Sequence, residues 1–276
     1  MRPGQYGSMD IVAALQIQGG VARRGTLLAH GVPRQRIDEA LSAQRILRPA
    51  RGVYALPGSD SALVSAACAG AELACITAAK HLGLWVFREP SFVHVTVDHG
   101  RPLEGVFRVH RQVKPLSLAD ICVQSMRCLP ELDALCIVES AVVQKKVTLE
   151  QLRASATGAR DAPLRRIIGL VDPHAESILE TVARYRLGEE GLHVSSQVYI
   201  PGVGRLDLFV EGILGIEADG REHHSGHKEF EEDRRRWNLL TVKGIPILRV
   251  SAKLILREPD SFIRLVRQGL ASRKSQ

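Results

Sequence analysis

The order of apolar patterns after residue 172 most limits how this chain can fold. An apolar helical face at Ile178, Leu179 and Val182 precedes three strand-like segments in SSQVYIPGVGRLDLFVEGILGIEADG. A helical pattern, a short apolar strand and a last helical pattern follow, in EFEEDRRRWNLLTVKG, IPILRVSA and DSFIRLVRQGL. Helices and strands are told apart here by the spacing of their apolar residues. The order predicts an α/β domain with a central mixed sheet flanked by helices.

Acidic residues lie on two neighbouring strands of this predicted sheet. Asp207 lies in RLDLFV, whereas Glu217 and Asp219 lie two apart in GIEADG and share one face of their strand. Because adjacent strands are about 4.8 Å apart, these carboxylates can converge on a divalent cation such as Mg²⁺. Such an ion polarises a phosphate and activates water. The alternative is a pair of exposed edge strands whose acids point outward.

Short motifs follow one another in a fixed order through residues 170–276. They are SxxE (Ser177 to Glu180), Gln197, RLDL, IEADGREHH, FxxDRRR and ILRV. Together they resemble the Vsr-like branch of the PD-(D/E)XK nuclease superfamily. The resemblance implies a restriction-endonuclease-like domain over residues 170–276.

The resemblance also implies roles for individual residues. Asp207 and Glu217 would bind Mg²⁺ or Mn²⁺, and the backbone carbonyl of Ala218 would complete the coordination. Glu180 would help to hold the metal or a water molecule, with Glu176, one turn earlier, as the alternative.

The chain departs from the superfamily pattern at the position of the usual catalytic lysine, two residues after Glu217, which is Asp219. We expect Asp219 to bind metal or to orient a histidine. His224, or else His223, would transfer the proton, because a neutral imidazole is a suitable acceptor near pH 7. The alternative for the histidine pair is a surface loop.

A basic run lies in the next predicted helix. Arg234, Arg235 and Arg236 can clamp the scissile phosphate or follow the DNA backbone. Arg236 shares a helix face with Asp233. For Arg234 and Arg235, a plain solvated run is an equal alternative.

Residues 1–58 predict three short helices followed by a strand–turn–strand wing. They contain eight arginines and three acidic residues, a net charge of +5, whereas residues 172–276 are neutral overall. Arg and Gln bond to base edges and phosphates. The candidate DNA contacts are therefore the residues that begin the third helix and those of the wing, namely Arg34, Gln35, Arg36, Arg48 and Arg51. The alternative is a solvated basic face used for protein contacts.

Two segments carry a second resemblance. GGVARRGTLLAHGVPRQRIDEAL and the following ILRPARGVYALPG are similar to the N-terminal domain of AbiEi-type antitoxins, which are winged-helix transcriptional repressors. The resemblance implies a winged helix-turn-helix that binds DNA.

Residues 59–165 predict a middle α/β connecting domain, with a helix in AELACITAAKHLGLWV and paired strands in FVHVTV and VFRVHR. No short ligand spacing joins His81, His94, His99 and His110. The five cysteines form no CxxC pair, so we expect buried reduced thiols and no zinc site.

These expectations combine into a Mg²⁺- or Mn²⁺-dependent DNA endonuclease, directed by a winged helix, in DNA repair or defence against foreign DNA. The alternative is a non-catalytic DNA-binding regulator or antitoxin, with a toxin encoded beside it as partner. Cutting both strands would ordinarily need two active sites, which leaves a homodimer open. No apolar run approaches the roughly 20 residues of a membrane span, and the first residues do not resemble a signal peptide. We therefore expect a cytoplasmic protein.

Overall fold

The computed structural model of the chain describes three stretches, residues 9–112, 115–219 and 227–274. They form a mixed α/β structure, as predicted. Contacts divide the chain into two units, residues 1–82 with 89–117 and residues 83–88 with 118–276. Among the described residues, no helix is both long and apolar enough to cross a membrane.

The first unit begins with three helices and three short strands. In chain order they are α1 (Ile11–Ile17), β1 (Val21–Arg23), α2 (Arg24–Ala29), α3 (Arg34–Ser42), β2 (Leu47–Ala50) and β3 (Val53–Ala55). The strands form an antiparallel sheet in the order β1-β3-β2. The predicted three helices and hairpin are confirmed, and β1 is an additional strand. Three residues are too few to show strand alternation in the sequence.

Local chemistry explains where the elements of this segment start and stop. Asp10 caps α1, because its Oδ2 accepts a hydrogen bond from the backbone N–H of Val12 at 3.1 Å. Gly52, with φ of +78°, lies in the turn between β2 and β3. The core between the helices and the sheet contains Leu15, Leu27 and Ile37.

The rest of the first unit is a second small sheet with two helices. Its elements are α4 (Ser61–Ala69), β4 (Glu72–Leu73), α5 (Cys75–His81), β5 (Val93–Val97) and β6 (Phe107–Arg111). The predicted pairing of β5 with β6 is confirmed and is parallel, while β4 pairs antiparallel with β5. The prediction of one helix through AELACITAAKHLGLWV is wrong at its start, because Glu72 and Leu73 pair with β5 instead.

The second unit contains a helical layer followed by a four-stranded sheet. The helices before the sheet are α6 (Leu118–Cys128), α7 (Glu131–Val143), α8 (Leu149–Ala154), α9 (Ala162–Leu170) and α10 (Ile178–Glu189). The remaining elements are β7 (Val194–Ile200), β8 (Gly204–Val210), β9 (Leu214–Asp219), α11 (His227–Val242), β10 (Ile247–Ser251), α12 (Ala252–Arg257) and α13 (Pro259–Lys274).

The sheet of the second unit is mixed, as predicted. Its order is β10-β9-β8-β7, with β9 and β10 parallel and the other neighbours antiparallel. A core that includes Leu208, Ile216 and Phe262 joins it to α10 and α13. The last helix begins at Pro259, one residue before the helical pattern DSFIRLVRQGL, because proline is well tolerated in the first turn. The short helix α12 was not predicted.

The cysteines only partly follow their prediction. Cys75, Cys122 and Cys136 are buried, whereas Cys68 is exposed and Cys128 is intermediate. Burial raises the pKa of the Cys122 thiol to about 12, as expected for a cysteine packed as a small apolar side chain.

Candidate functional site

Glu180 is held at the start of α10 by a set of hydrogen bonds. Ser177 caps the helix, and its hydroxyl donates to Glu180 Oε1 at 2.8 Å. Glu180 Oε2 accepts from the backbone N–H of Glu176 at 3.0 Å and from Gln197 Nε2 at 2.8 Å. The residue is 4% exposed, and burial raises its pKa although these hydrogen bonds favour the ionised form. Glu180 therefore joins α10 to β7 through Gln197.

Strand register brings Asp207 and Glu217 together. Leu208 pairs with Ile216, which places Asp207 on β8 across from Glu217 on β9. The backbone N–H of Ala218 donates to Asp207 Oδ2 at 2.9 Å. Burial raises the pKa of Asp207 despite this hydrogen bond, and the nearby charge of Glu176 adds to the increase. The register thus places the two residues at neighbouring positions of adjacent strands.

Arginines from α11 and β10 pair with the acids of β9. Arg236 Nη2 lies 2.9 Å from Glu217 Oε1. Arg249 contacts both oxygens of Asp219, at 3.0 and 3.1 Å, in the two-bond arrangement that suits a guanidinium. The Arg249 guanidinium also lies 5.0 Å from the ring centroid of Trp237. Trp237 itself is 37% exposed.

These side chains line one cavity of about 490 Å³, which we call the acidic cleft. Its lining residues are Glu176, Gln197, Val203, Gly204, Arg205, Asp207, Glu217, Asp219, Arg236 and Arg249. Glu176 lines the cleft and pairs with Arg205. Glu180 is one side chain further back, in contact with Gln197. Of the two acids proposed from the sequence, Glu176 is therefore the one at the cleft surface, but it precedes the N-cap Ser177 and so does not lie on α10 as predicted.

The donor atoms of the acidic cleft suit a hard divalent cation. Asp207 and Glu217 supply carboxylate oxygens, which Mg²⁺ and Mn²⁺ prefer. Asp207 is half-buried among acids, an arrangement that a bound cation would stabilise. Arg205, Arg236 and Arg249 can instead bind the oxygens of a phosphate. The cleft thus combines groups for a cation and groups for a phosphodiester.

Of the remaining predicted residues of this region, the structure describes the arginines but not the histidines. His223 and His224 lie outside the described residues, so their role stays a prediction. Arg234 and Arg235 are exposed on α11. Arg236 alone of this run lines the acidic cleft among the described side chains.

Arg249 and Arg205 were not among the site residues predicted from the sequence. Arg249 is a charged residue inside the apolar strand segment IPILRV, which is the signal that could have revealed it. In the parallel register it pairs with Glu217, while Ser251 pairs with Asp219. Arg205 gives a similar signal, because it is a charged residue directly before the apolar Leu206 in RLDL.

The predicted DNA-contacting residues of the first unit are all exposed. Arg34, Gln35 and Arg36 form the first turn of α3. Glu39, one turn later, accepts hydrogen bonds from Gln35 at 3.0 Å and from Arg36 at 3.3 Å. The last two predicted contacts lie on β2 and in the following turn, at Arg48 and Arg51.

Part of the first unit also matches a known domain family. Residues 9–57 match the family model described as "Transcriptional regulator, AbiEi antitoxin". The matched range contains every element from α1 to β3. This finding supports the resemblance of the N-terminal segment to the AbiEi-type regulators.

Two proteins of Mycobacterium tuberculosis are similar to a larger part of the chain. They are named uncharacterized protein MT2308 and uncharacterized protein Rv2248, from two strains. Each is 29% identical over 171 residues, which is 60% of this chain. The aligned region spans 58% of the length of each relative.

Proposed function

We propose that this chain is a DNA-binding transcriptional regulator of the AbiEi antitoxin type. The match of residues 9–57 to that family carries the proposal. It is supported by the net charge of +5 in residues 1–58, because a basic surface attracts a polyanion.

The exposed residues of α3 and of the wing suggest how DNA would be bound. Arg34, Gln35 and Arg36 would reach base edges in the major groove from the start of α3. Arg48 and Arg51 would neutralise phosphates beside it. The hydrogen bonds from Gln35 and Arg36 to Glu39 hold two of these side chains on one helix face until DNA replaces them.

The test is to select a binding sequence for the full-length protein from a random duplex library and to measure its affinity by fluorescence anisotropy. Arg34→Ala is expected to cost about 1–3 kcal/mol of binding free energy and to relax the sequence preference. Arg153→Ala is the matched control, because Arg153 is an exposed arginine on α8. A library without sequence enrichment, or equal losses in both variants, would overturn the proposal.

An antitoxin would also have a protein partner. We expect the product of a toxin gene beside this one to co-purify with the full chain. DNA binding without such a complex would support the regulator proposal and contradict the expectation of a toxin partner.

A second candidate function is a metal-dependent DNA endonuclease. The acidic cleft favours it, because Asp207 and Glu217 lie on adjacent strands beside three arginines. Asp207, Glu217 and the Ala218 carbonyl would hold Mg²⁺ or Mn²⁺, with Glu176 or Glu180 nearby. The ion would polarise the phosphate and lower the pKa of a bound water.

The protein's own groups would bind and orient the substrate in this candidate reaction. Arg205 and Arg236 would hold the oxygens of the phosphodiester. A cation would compete with Arg236 for Glu217, which would release the guanidinium toward the phosphate. Asp219 would stay oriented by its two bonds from Arg249. His223 or His224 would accept the proton.

The nuclease candidate is tested with full-length protein and Mg²⁺ or Mn²⁺ on single-stranded, duplex, mismatched and branched DNA. Asp207→Asn is expected to lower cleavage about 100-fold or more, by analogy with the loss of other active-site groups. Glu150→Gln, an exposed acid at the start of α8, is the control and should cleave as the wild type does. Nicked plasmid would indicate a monomer, and linear product would indicate two active sites. Equal cleavage by Asp207→Asn would show that the activity belongs to another site.

A further inference from the structure

Three metal-ligating side chains meet in the first unit, and none of them lines the acidic cleft or is one of the predicted DNA-contacting residues. Cys75 begins α5, His94 lies on β5 and His110 lies on β6. One ligand atom of each lies within 4.8 Å of the ligand atoms of the others. Strand register explains part of this arrangement, because β5 and β6 are parallel and His110 pairs with Thr96, two residues after His94.

The two imidazoles are spaced as ligands of one ion would be. His94 Nδ1 and His110 Nε2 are 3.2 Å apart. Two nitrogens that each lie about 2.0–2.1 Å from a tetrahedral zinc ion are about 3.3 Å from each other. The ring centroids are 5.4 Å apart and the planes are tilted by 30°, so the rings do not stack face to face. The same nitrogens could share a hydrogen bond, which is the alternative that an experiment must exclude.

Backbone hydrogen bonds fix the positions of Cys75 and His94. The backbone N–H of His94 donates to Thr77 Oγ1 at 2.9 Å, and the carbonyl of His94 accepts from the N–H of Ala74 at 2.9 Å. Cys75 has φ of +49°, a left-handed conformation that is uncommon for a residue other than glycine. Such strain persists only where the surroundings impose it, and it concentrates at functional positions.

Two of the three ligand side chains are shielded from water. Cys75 is completely buried and His94 is 8% exposed. Structural zinc sites likewise take their ligands from the protein and keep no open position for water.

We propose that Cys75, His94 and His110 bind a zinc ion. A thiolate with two imidazoles suits Zn²⁺ and does not suit Mg²⁺ or Mn²⁺, which prefer oxygen ligands. Binding releases the thiol proton of Cys75. The proposal does not depend on either function proposed above.

The small sheet around the three ligands gives this zinc ion a structural role. The hydrophobic core of this sheet has four buried residues, Ala66, Ala71, Val95 and Val97. A small core supplies little stability, and a metal that joins α5, β5 and β6 would compensate for it. The prediction that there is no zinc site is thereby revised: the cysteines form no CxxC pair and no short spacing joins the histidines, so these ligands come together only in the folded chain.

The test begins with the metal content of the full-length protein, purified without chelator and under reducing conditions. We expect stoichiometric zinc by mass spectrometry of the metals. Cys75→Ser and His110→Gln are expected to lose most of it. Cys68→Ser and His99→Gln are the matched controls, an exposed thiol and an exposed histidine of the same unit, and should keep it.

A second measurement uses wild-type protein only and so does not depend on variants that fail to fold. Zinc is removed with a chelator and Co²⁺ is added. We expect the visible bands of tetrahedral cobalt and a thiolate-to-cobalt charge-transfer band, whose intensity reports the number of thiolate ligands. The melting temperature should fall on zinc removal and recover on zinc addition. Purified protein without zinc, together with no thiolate band on cobalt titration, would overturn the proposal.

Discussion

The two candidate sites of the proposed functions arrange their charges in different ways. In residues 9–58 the charges are mostly of one sign and exposed, as at Arg34, Arg48 and Arg51. In the acidic cleft, opposite charges are half-buried and paired, as Arg236 with Glu217 and Arg249 with Asp219. Both arrangements suit a nucleic acid, but the exposed charges act at long range and the paired charges act on their immediate neighbours.

Exposed charges of one sign act together over about a Debye length, and salt weakens their effect. Half-buried charges act on immediate neighbours, where desolvation and hydrogen bonds shift the pKa of a carboxyl. The first arrangement is suited to binding a polyanion, and the second is suited to chemistry at one position. Substitutions that remove single charges should therefore have different consequences in the two regions.

The largest expected difference is in the free energy of unfolding, between breaking a buried ion pair and breaking an exposed one. Glu139, completely buried on α7, accepts hydrogen bonds from Arg184 at 2.5 Å and from Thr181 at 2.6 Å, both on α10. Arg184→Ala leaves this carboxylate buried without its cation, so we expect a loss of about 3–5 kcal/mol in the free energy of unfolding. Urea unfolding followed by tryptophan fluorescence measures it.

The comparison variant for that experiment is Arg45→Ala in the first unit. Arg45 forms an exposed pair with Asp10 at 3.0 Å, and exposed pairs contribute about 0–1 kcal/mol. Circular dichroism of both variants gives a common measure. Equal losses would mean that burial does not distinguish the two ion pairs.

The next effect concerns the salt dependence of DNA binding. Removing both wing arginines, in Arg48→Ala with Arg51→Ala, should weaken binding to every duplex sequence alike. Each lost phosphate contact should lower the slope of log affinity against log salt by about one unit. Anisotropy titrations at several salt concentrations measure the slope. An unchanged slope would place the wing away from the DNA.

A smaller effect is expected in the turn of the wing. Gly52 has φ of +78°, and a Cβ built there would meet nothing within 4 Å. Gly52→Ala therefore adds backbone strain without a clash, for a loss of about 1–2 kcal/mol. Thermal unfolding measures it, with Gly25→Ala in α2 as the control, because that position is open and helical. A variant as stable as the wild type would show that the turn adapts.

The smallest effect is a pH-dependent difference at Asp207. The raised pKa means that the folded protein binds this proton more tightly than the unfolded chain does. The contribution of Asp207 to the free energy of unfolding therefore falls as pH rises from 3.8, the ordinary pKa of aspartate, through the raised value. Asp207→Asn lacks this titration, so with chelator present its melting temperature should exceed that of the wild type at neutral pH.

The difference at Asp207 should vanish below pH 3.8, where the carboxyl is protonated in both states. Thermal scans across that range check the sign. Glu150→Gln, an exposed acid of the same unit, should follow the wild type throughout. A variant that is less stable at neutral pH would mean that the hydrogen bond from Ala218 outweighs burial.

Periodic patterns predicted most elements of the second unit and the central part of its cleft. The alternation in RLDLFV and GIEADG indicated strands β8 and β9, and their antiparallel register brought Asp207 and Glu217 together. The short elements β1, β4 and α12 were not predicted, since so few residues give only a weak period, and no turn motif marks them as Gly52 marks the wing. Glu72 and Leu73 became a strand because β5 lies beside them, which is a tertiary effect.

The sequence by itself determined which residues share a face within each helix or strand, because that periodicity is local. It therefore indicated the acids of β8 and β9 and the basic start of α3. Only the tertiary structure decided which strand lies next to β9, and so brought Arg249 to Asp219 across a parallel pair. It also brought Cys75, His94 and His110 together. Contacts between residues distant in the chain follow from packing of the whole fold, and no local spacing encodes them.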